Sequence, residues 1–176
     1  RTAVAVFMSQ HLATSNSSSR GFSFVEALVA FTILTVGLIP AFVQASAAVR
    51  LSNSVRNSMI ASGLAQEGIE VVYAMRNANW YAGDAFDAGL DGCTAGCRVQ
   101  HDSVTLLPLA GNPPLKRDVT TTLMQYDTGT ATPFRRVITI SAVTAYELYI
   151  TSTVSWTEAS GDRSLEVEAY LFDWAQ

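Results

Sequence analysis

The sequence predicts an α+β fold: one long N-terminal helix, apolar and protruding in its first half and amphipathic and packed in its second, followed by a C-terminal antiparallel β-sheet. Three observations carry this expectation. Residues 27–49 hold no charged side chain. Beyond them Leu51, Val55, Met59, Ile60, Leu64, Gly68, Val71 and Met75 advance by one helical turn at a time and form an apolar stripe. After residue 102, short runs rich in β-branched and aromatic residues alternate with turn signals.

Residues 1–21 end in Asn16-Ser-Ser-Ser-Arg20-Gly21 and contain no long apolar run, so they do not read as a secretory signal with its apolar region inside the removed part. Removal after Gln44-Ala45-Ser46-Ala47 is the ordinary signal-peptide alternative. The apolar run from Ala27 is long enough to cross most of a hydrocarbon layer, which takes ~20 residues. Glu26 is the misfit at its start, because a charge at the centre of a membrane helix costs ~2.5–3.5 kcal/mol on insertion scales and therefore marks a functional position. Gly37 and Pro40 interrupt the run, and proline removes one helical hydrogen bond, so a kink or melted turn is expected over 36–41. The amphipathic stretch 50–75 then offers one face to a sheet.

Residues 76–102 read as a loop with aromatic anchors, including Asn79-Trp80-Tyr81 and Gly83-Asp84-Ala85-Phe86. Strand character follows over 103–107, 118–126, 134–143, 147–157 and 163–174, with Asp127-Thr128-Gly129 and Ser160-Gly161-Asp162 as turns. In the last run Leu165, Val167, Ala169 and Leu171 alternate with Glu166, Glu168, Tyr170 and Phe172, which assigns one face to the core.

Composition narrows the function classes. The net charge is −4, and without Arg1 and Arg20 the chain keeps 9 basic against 15 acidic residues, or −6. No basic stripe exists, so no nucleic-acid partner is expected; Lys116-Arg117 and Arg135-Arg136 read as solvated pairs. Arg20 ahead of the span places the N-terminus in the cytoplasm and everything after Val49 outside it, where a disulfide can persist. Cys93 and Cys97 are therefore expected to form a loop staple, with free thiols as the alternative. Zinc lacks ligands, since only His101 joins the two cysteines beyond the first 21 residues. Asp84, Asp87 and Asp91 could offer oxygens to calcium, but their spacing is not that of a calcium loop, and a solvated acidic loop is the preferred reading. Asp127-Thr128-Gly129 has the form of an aspartic-protease triplet, yet it stands once, at a turn. No cofactor and no catalytic set is expected.

Arg20-Gly21-Phe22-Ser-Phe-Val-Glu26-Ala-Leu-Val-Ala resembles the processing signal of bacterial type IV prepilins and type II secretion pseudopilins. Ser23, Phe24 and Val25 stand where that family more often has Thr, Leu and Ile. The resemblance implies that residues 1–21 are a leader and that a membrane prepilin peptidase cuts between Gly21 and Phe22 and methylates Phe22. It implies that 22–49 serve as the transmembrane and filament-core half-helix, 50–75 as the helix of a globular domain, 76–102 as its loop region and 103–176 as its sheet. Glu26, four residues beyond the new amine, would pair with that terminus or a neighbour's and set the register of assembly.

Phe134-Arg-Arg-Val-Ile-Thr-Ile, Val154-Ser-Trp156-Thr-Glu and Arg163-Ser-Leu-Glu-Val are similar to minor pilins and their pseudopilin counterparts. The expected function is thus a minor pilin of a type IV pilus, with a secretion pseudopilin as the alternative. Expected partners are other pilin subunits, the peptidase, an inner-membrane assembly platform and lipid before assembly. The expected location is the inner membrane, single-pass with a periplasmic C-terminal domain, and later the pilus. The rival from another class is a periplasmic binding module or enzyme tethered by its helix.

Overall fold

The computed structural model describes residues 21–173; the residues before Gly21 and Trp174 at the end of the last expected strand lie outside the described part. The chain divides into two units, Arg1–Ala47 and Ala48–Gln176. Helix α1, Phe24–Ala82, runs through both. Eight strands follow: β1 Cys97–Arg98, β2 Leu107–Pro108, β3 Lys116–Arg117, β4 Met124–Gln125, β5 Thr130–Ala131, β6 Arg135–Thr144, β7 Glu147–Glu158 and β8 Gly161–Phe172. The fold is α+β, with a long N-terminal helix and a C-terminal antiparallel sheet region.

Five strands form one sheet in the order β2-β1-β6-β7-β8, and β4-β3-β5 form a smaller one. The long strands are joined as a meander, with Ile140 opposite Ile150 and Ile150 opposite Ala169. Alternation decides the faces, since successive strand residues point to opposite sides. Leu148, Ile150, Ser152, Val154 and Trp156 of β7 are buried, and Leu165, Val167, Ala169 and Leu171 of β8 face the same core.

That core has two parts. In one, Ile69, Val72 and Met75 of α1 pack against Ile138, Ile140, Ile150 and Leu171, closed by Leu90, Cys93 and Val99 from the loop side. In the other, Ala61, Leu64 and Ala65 meet Leu115, Tyr126, Phe134, Val154 and Trp156. Small residues on α1 let the sheet approach closely. A Cβ added at Gly68 would lie 2.7 Å from Ile138 Cδ1 and 2.8 Å from Ser152 Oγ. Gly68→Ala gains ~1 kcal/mol of helix propensity and loses ~1–3 kcal/mol to overpacking. The expected outcome is a modest net loss of stability, read as a lower urea midpoint at constant m-value.

Four differences from the sequence expectation have physical causes. First, α1 does not stop near Met75. It continues to Ala82, where Gly83 at φ 77° ends it, its N–H donating to Trp80 O (3.2 Å) while Asp84 N–H donates to Asn79 O (2.9 Å). This is the paired terminal bonding that a left-handed glycine permits. Asn79 then ties down the next loop through Nδ2, which donates to the carbonyls of Ala88 (2.8 Å) and Phe86 (3.3 Å).

Second, the sheet covers the apolar stripe of α1 only from Ile60 onward. Leu51, Val55 and Met59 are 66%, 50% and 72% exposed, because the β7–β8 hairpin ends beside Asn57, whose Nδ2 donates to Glu158 Oε1 (3.1 Å).

Third, the expected strand over 118–126 is mostly a turn. Asp118 Oδ1 accepts from the N–H groups of Thr120 and Thr121, each at 2.8 Å, and these local bonds compete successfully with strand pairing. The backbone N–H groups of Thr121 and Thr120 hold the Asp118 carboxyl below the usual carboxylate range.

Fourth, Arg135 is exposed but Arg136 is not solvated at all. It is fully buried and ties β6 to α1, donating to Leu64 O (2.7 Å) and Val99 O (2.6 Å) and pairing with Glu67 at 3.3 Å.

Candidate functional site, the N-terminal segment

Gly21, Phe22 and Ser23 precede the helix, and all three are exposed. Ser23 occupies the N-cap position, since its carbonyl accepts the first helical bond, from Ala27 N–H at 3.0 Å. Glu26 therefore stands at the third helical position, in the first turn. Ser23-Phe24-Val25-Glu26 has the spacing of a capping box, in which serine and glutamate serve the unpaired N–H groups of a helix start. The carboxylate also complements the positive end of the helix dipole. This role of Ser23 was missed by the sequence reading, although Ser-x-x-Glu before an apolar run signals it.

Phe22 lies outside the helix, so the helical spacing expected between it and Glu26 is not present while residues 21 and 22 remain joined. The physical reason is local: Ser23 takes the N-cap, and the Phe22 nitrogen is an amide, not an amine. A Cβ built on Gly21 would meet nothing within 4 Å, so this chain's own packing places no demand for glycine there.

From Gly21 to Ala47 every residue is exposed except the half-buried Thr35, including Phe24, Val25, Leu28, Val29, Phe31 and Ile33. The helix is long and apolar enough to cross a membrane, and none of its most apolar window is buried within the chain. The hydroxyls of its apolar first half are satisfied internally: Thr32 Oγ1 donates to Leu28 O (2.8 Å), Thr35 Oγ1 to Phe31 O (3.0 Å) and Ser46 Oγ to Phe42 O (2.9 Å). Such bonding is what hydrocarbon surroundings demand of every polar group. Gly37 and Pro40 lie within α1, which carries no melted turn at 36–41.

Elsewhere, Cys93 and Cys97 are joined through their sulfurs with Cα atoms 5.5 Å apart, and the buried Cys93 carbonyl accepts from Ile140 N–H at 3.3 Å. Replacing both cysteines by alanine is expected to lower stability by ~2 kcal/mol on the chain-entropy model for so short a loop; thermal unfolding with and without reductant checks this. Asp84, Asp87 and Asp91 are not brought together as metal ligands among the described residues.

Residues 16–42 match the family model described as the prokaryotic N-terminal methylation motif. The chain carries the processing motif typical of type IV prepilins and pseudopilins. The match spans Gly21, Phe22 and Glu26 and ends within the apolar part of α1. The pilin-type motif implies a processed subunit that assembles with other pilin subunits after membrane anchoring. It points to a structural protein of that type. Searches of curated proteins and of solved structures each returned no match.

Proposed function

We propose that this chain is a minor pilin of a type IV pilus. The observation that carries the reading is the methylation motif running directly into an exposed apolar helix whose first turn bears one carboxylate. On this reading residues 1–21 are the leader and 22–49 the membrane and filament-core half-helix. The precursor waits in the inner membrane with its C-terminal domain in the periplasm. The peptidase cuts Gly21-Phe22, where the chain precedes the helix and is open to solvent. Cutting turns the Phe22 amide into an amine, and methylation keeps that amine cationic. The cation then stands at the helix start beside Glu26, as the partner that a carboxylate in lipid lacks.

In a monomer the pair is internal. During assembly Glu26 meets the terminus of a neighbouring subunit instead, and that poorly solvated pair sets the axial register because it is costly to break once formed. Exposed side chains such as Phe24, Leu28, Phe31 and Leu34 then exchange lipid for the helices of neighbours. Gly37 and Pro40 are where the helix can loosen when the subunit leaves the membrane, since Pro40 already lacks one helical hydrogen bond. The inner-membrane assembly platform is the partner for extraction.

The minor-subunit assignment rests on the resemblance of Phe134–Ile140, Val154–Glu158 and Arg163–Val167 to minor pilins and their pseudopilin counterparts. It is tested by shearing surface filaments from cells carrying a tagged copy and quantifying the subunit by immunoblot. Presence in the filament at a small fraction of the major subunit supports it. Recovery only with a secretion complex assigns the chain to a pseudopilus, and absence from both assigns the helix to a tether.

A further inference from the structure

Strand β8 is one edge of the five-stranded sheet. The opposite edge, β2, is two residues long and ends in Pro108, whereas β8 spans Gly161–Phe172 and contains no proline. Short, proline-bearing edges resist pairing with other chains, and long regular ones invite it. The direction of the free backbone groups follows from the hydrogen bonds. The hairpin closes on the Glu158–Gly161 pair, and Asp173 N–H donates to Tyr146 O, so the odd-numbered residues of β8 bond to β7. The even-numbered residues turn their N–H and C=O groups outward.

Helix α1 already serves two of these groups. Tyr73 Oη donates to Tyr170 O (3.0 Å) and Arg76 Nη1 to Phe172 O (3.3 Å). That leaves the outward N–H groups of Tyr170 and Phe172, and both backbone groups of Asp162, Ser164, Glu166 and Glu168, without a partner among the described residues. The side chains along this stretch sort by face. Leu165 and Val167 are half-buried at the margin of the core. Glu166 and Glu168 are exposed on the other face, Glu166 accepting from Thr153 Oγ1 (3.0 Å) and Glu168 pushing the nearby Tyr149 hydroxyl's pKa up, and neither is in an ion pair among the described residues.

These charges disfavour a second copy as the occupant. Any antiparallel register pairing three or more of Asp162, Ser164, Glu166 and Glu168 with their own copies sets carboxylate directly against carboxylate, which destabilises a strand pair. They favour a strand of opposite charge. We propose that β8 is a strand-addition site for an extended segment of a non-identical protein, in which apolar residues beside Leu165 and Val167 alternate with lysine or arginine beside Glu166 and Glu168. Main-chain bonds give such a site its affinity and the alternate side chains its specificity. The proposal goes beyond the pilin reading and does not depend on it.

The test uses the full chain in detergent micelles and a blocked heptapeptide alternating valine and lysine, with a valine–glutamate peptide as control. Hydrogen exchange is expected to slow by about tenfold or more at the outward amides of Ser164, Glu166 and Glu168, and to change little at Leu165 and Val167, only with the basic peptide. Ser164→Pro removes an outward N–H without removing a β7 bond. It should abolish that protection while the Ile150 amide stays protected. Because proline can disturb the strand, a second variant, Glu166→Lys with Glu168→Lys, should transfer the preference to the valine–glutamate peptide. No protection, protection of odd and even amides alike, equal protection by both peptides, or an unchanged preference in the charge-reversed variant would each overturn the proposal. Concentration-dependent protection without peptide would overturn it in favour of self-association.

Discussion

Arg136→Ala is expected to lower the stability of the sheet-bearing unit by about 2–5 kcal/mol, the range for truncating a large buried side chain and leaving a cavity and an unmet polar group. The guanidinium is fully buried and serves the carbonyls of Leu64 and Val99 as well as Glu67. Removing it strands the buried Val99 carbonyl, worth ~1–3 kcal/mol when left unmet, and takes a second donor from the Leu64 carbonyl, which keeps its place in the helical bonding of α1. It also opens a cavity beside Gly68, where Arg136 Cδ lies 3.1 Å from a Cβ built on that glycine. Glu67 is 31% exposed and can turn to water, so the stranded Val99 carbonyl and the cavity carry the loss, and the broken ion pair contributes less. Arg136→Met keeps the stem volume and should cost less than the alanine variant. Urea unfolding of the three proteins at constant m-value measures both steps, and an alanine cost under ~1 kcal/mol would exclude Arg136 as the tether between helix and sheet.

Glu26→Leu is expected to leave membrane insertion intact and to reduce recovery in sheared filaments by about tenfold or more, the loss of a register contact worth at least ~1.4 kcal/mol. Insertion should not suffer, because the substitution removes a charge that hydrocarbon disfavours. Recovery should suffer because the processed amine of a neighbour then finds no carboxylate. Glu26→Gln isolates the charge, keeping shape and much of the hydrogen-bonding capacity. The measurement is the ratio of subunit in the filament fraction to subunit in the membrane fraction. Normal recovery of both variants would remove the register role of Glu26.

The long helix was legible because two signals add along it, a charge-free run and then a periodic stripe. Its end was not, because the stripe fades at Met75 while the stop is set eight residues later by Gly83, a conformational signal with no hydropathy. The uncovered Leu51, Val55 and Met59 show the same limit: periodicity gives a face, and the reach of the β7–β8 hairpin decides how much of it is covered. Arg136 was readable in principle. Phe134, Arg136, Ile138 and Ile140 share one strand parity and all four are buried, but charge was weighed above parity. Thr120-Thr121-Thr122 has strand propensity, which lost to the bonds that Asp118 offers its own backbone. The N-terminal motif was the most legible part, since Gly21, Phe22 and Glu26 fall within one stretch of chain and need no tertiary contact to be recognised.

Mass spectrometry of the N-terminus of the protein recovered from its native membrane tests the central claim most directly. A mature chain beginning at Phe22 and carrying one methyl group on its amine is the predicted result. A terminus at any other residue, or a leader still attached in cells with an active prepilin peptidase, would contradict it.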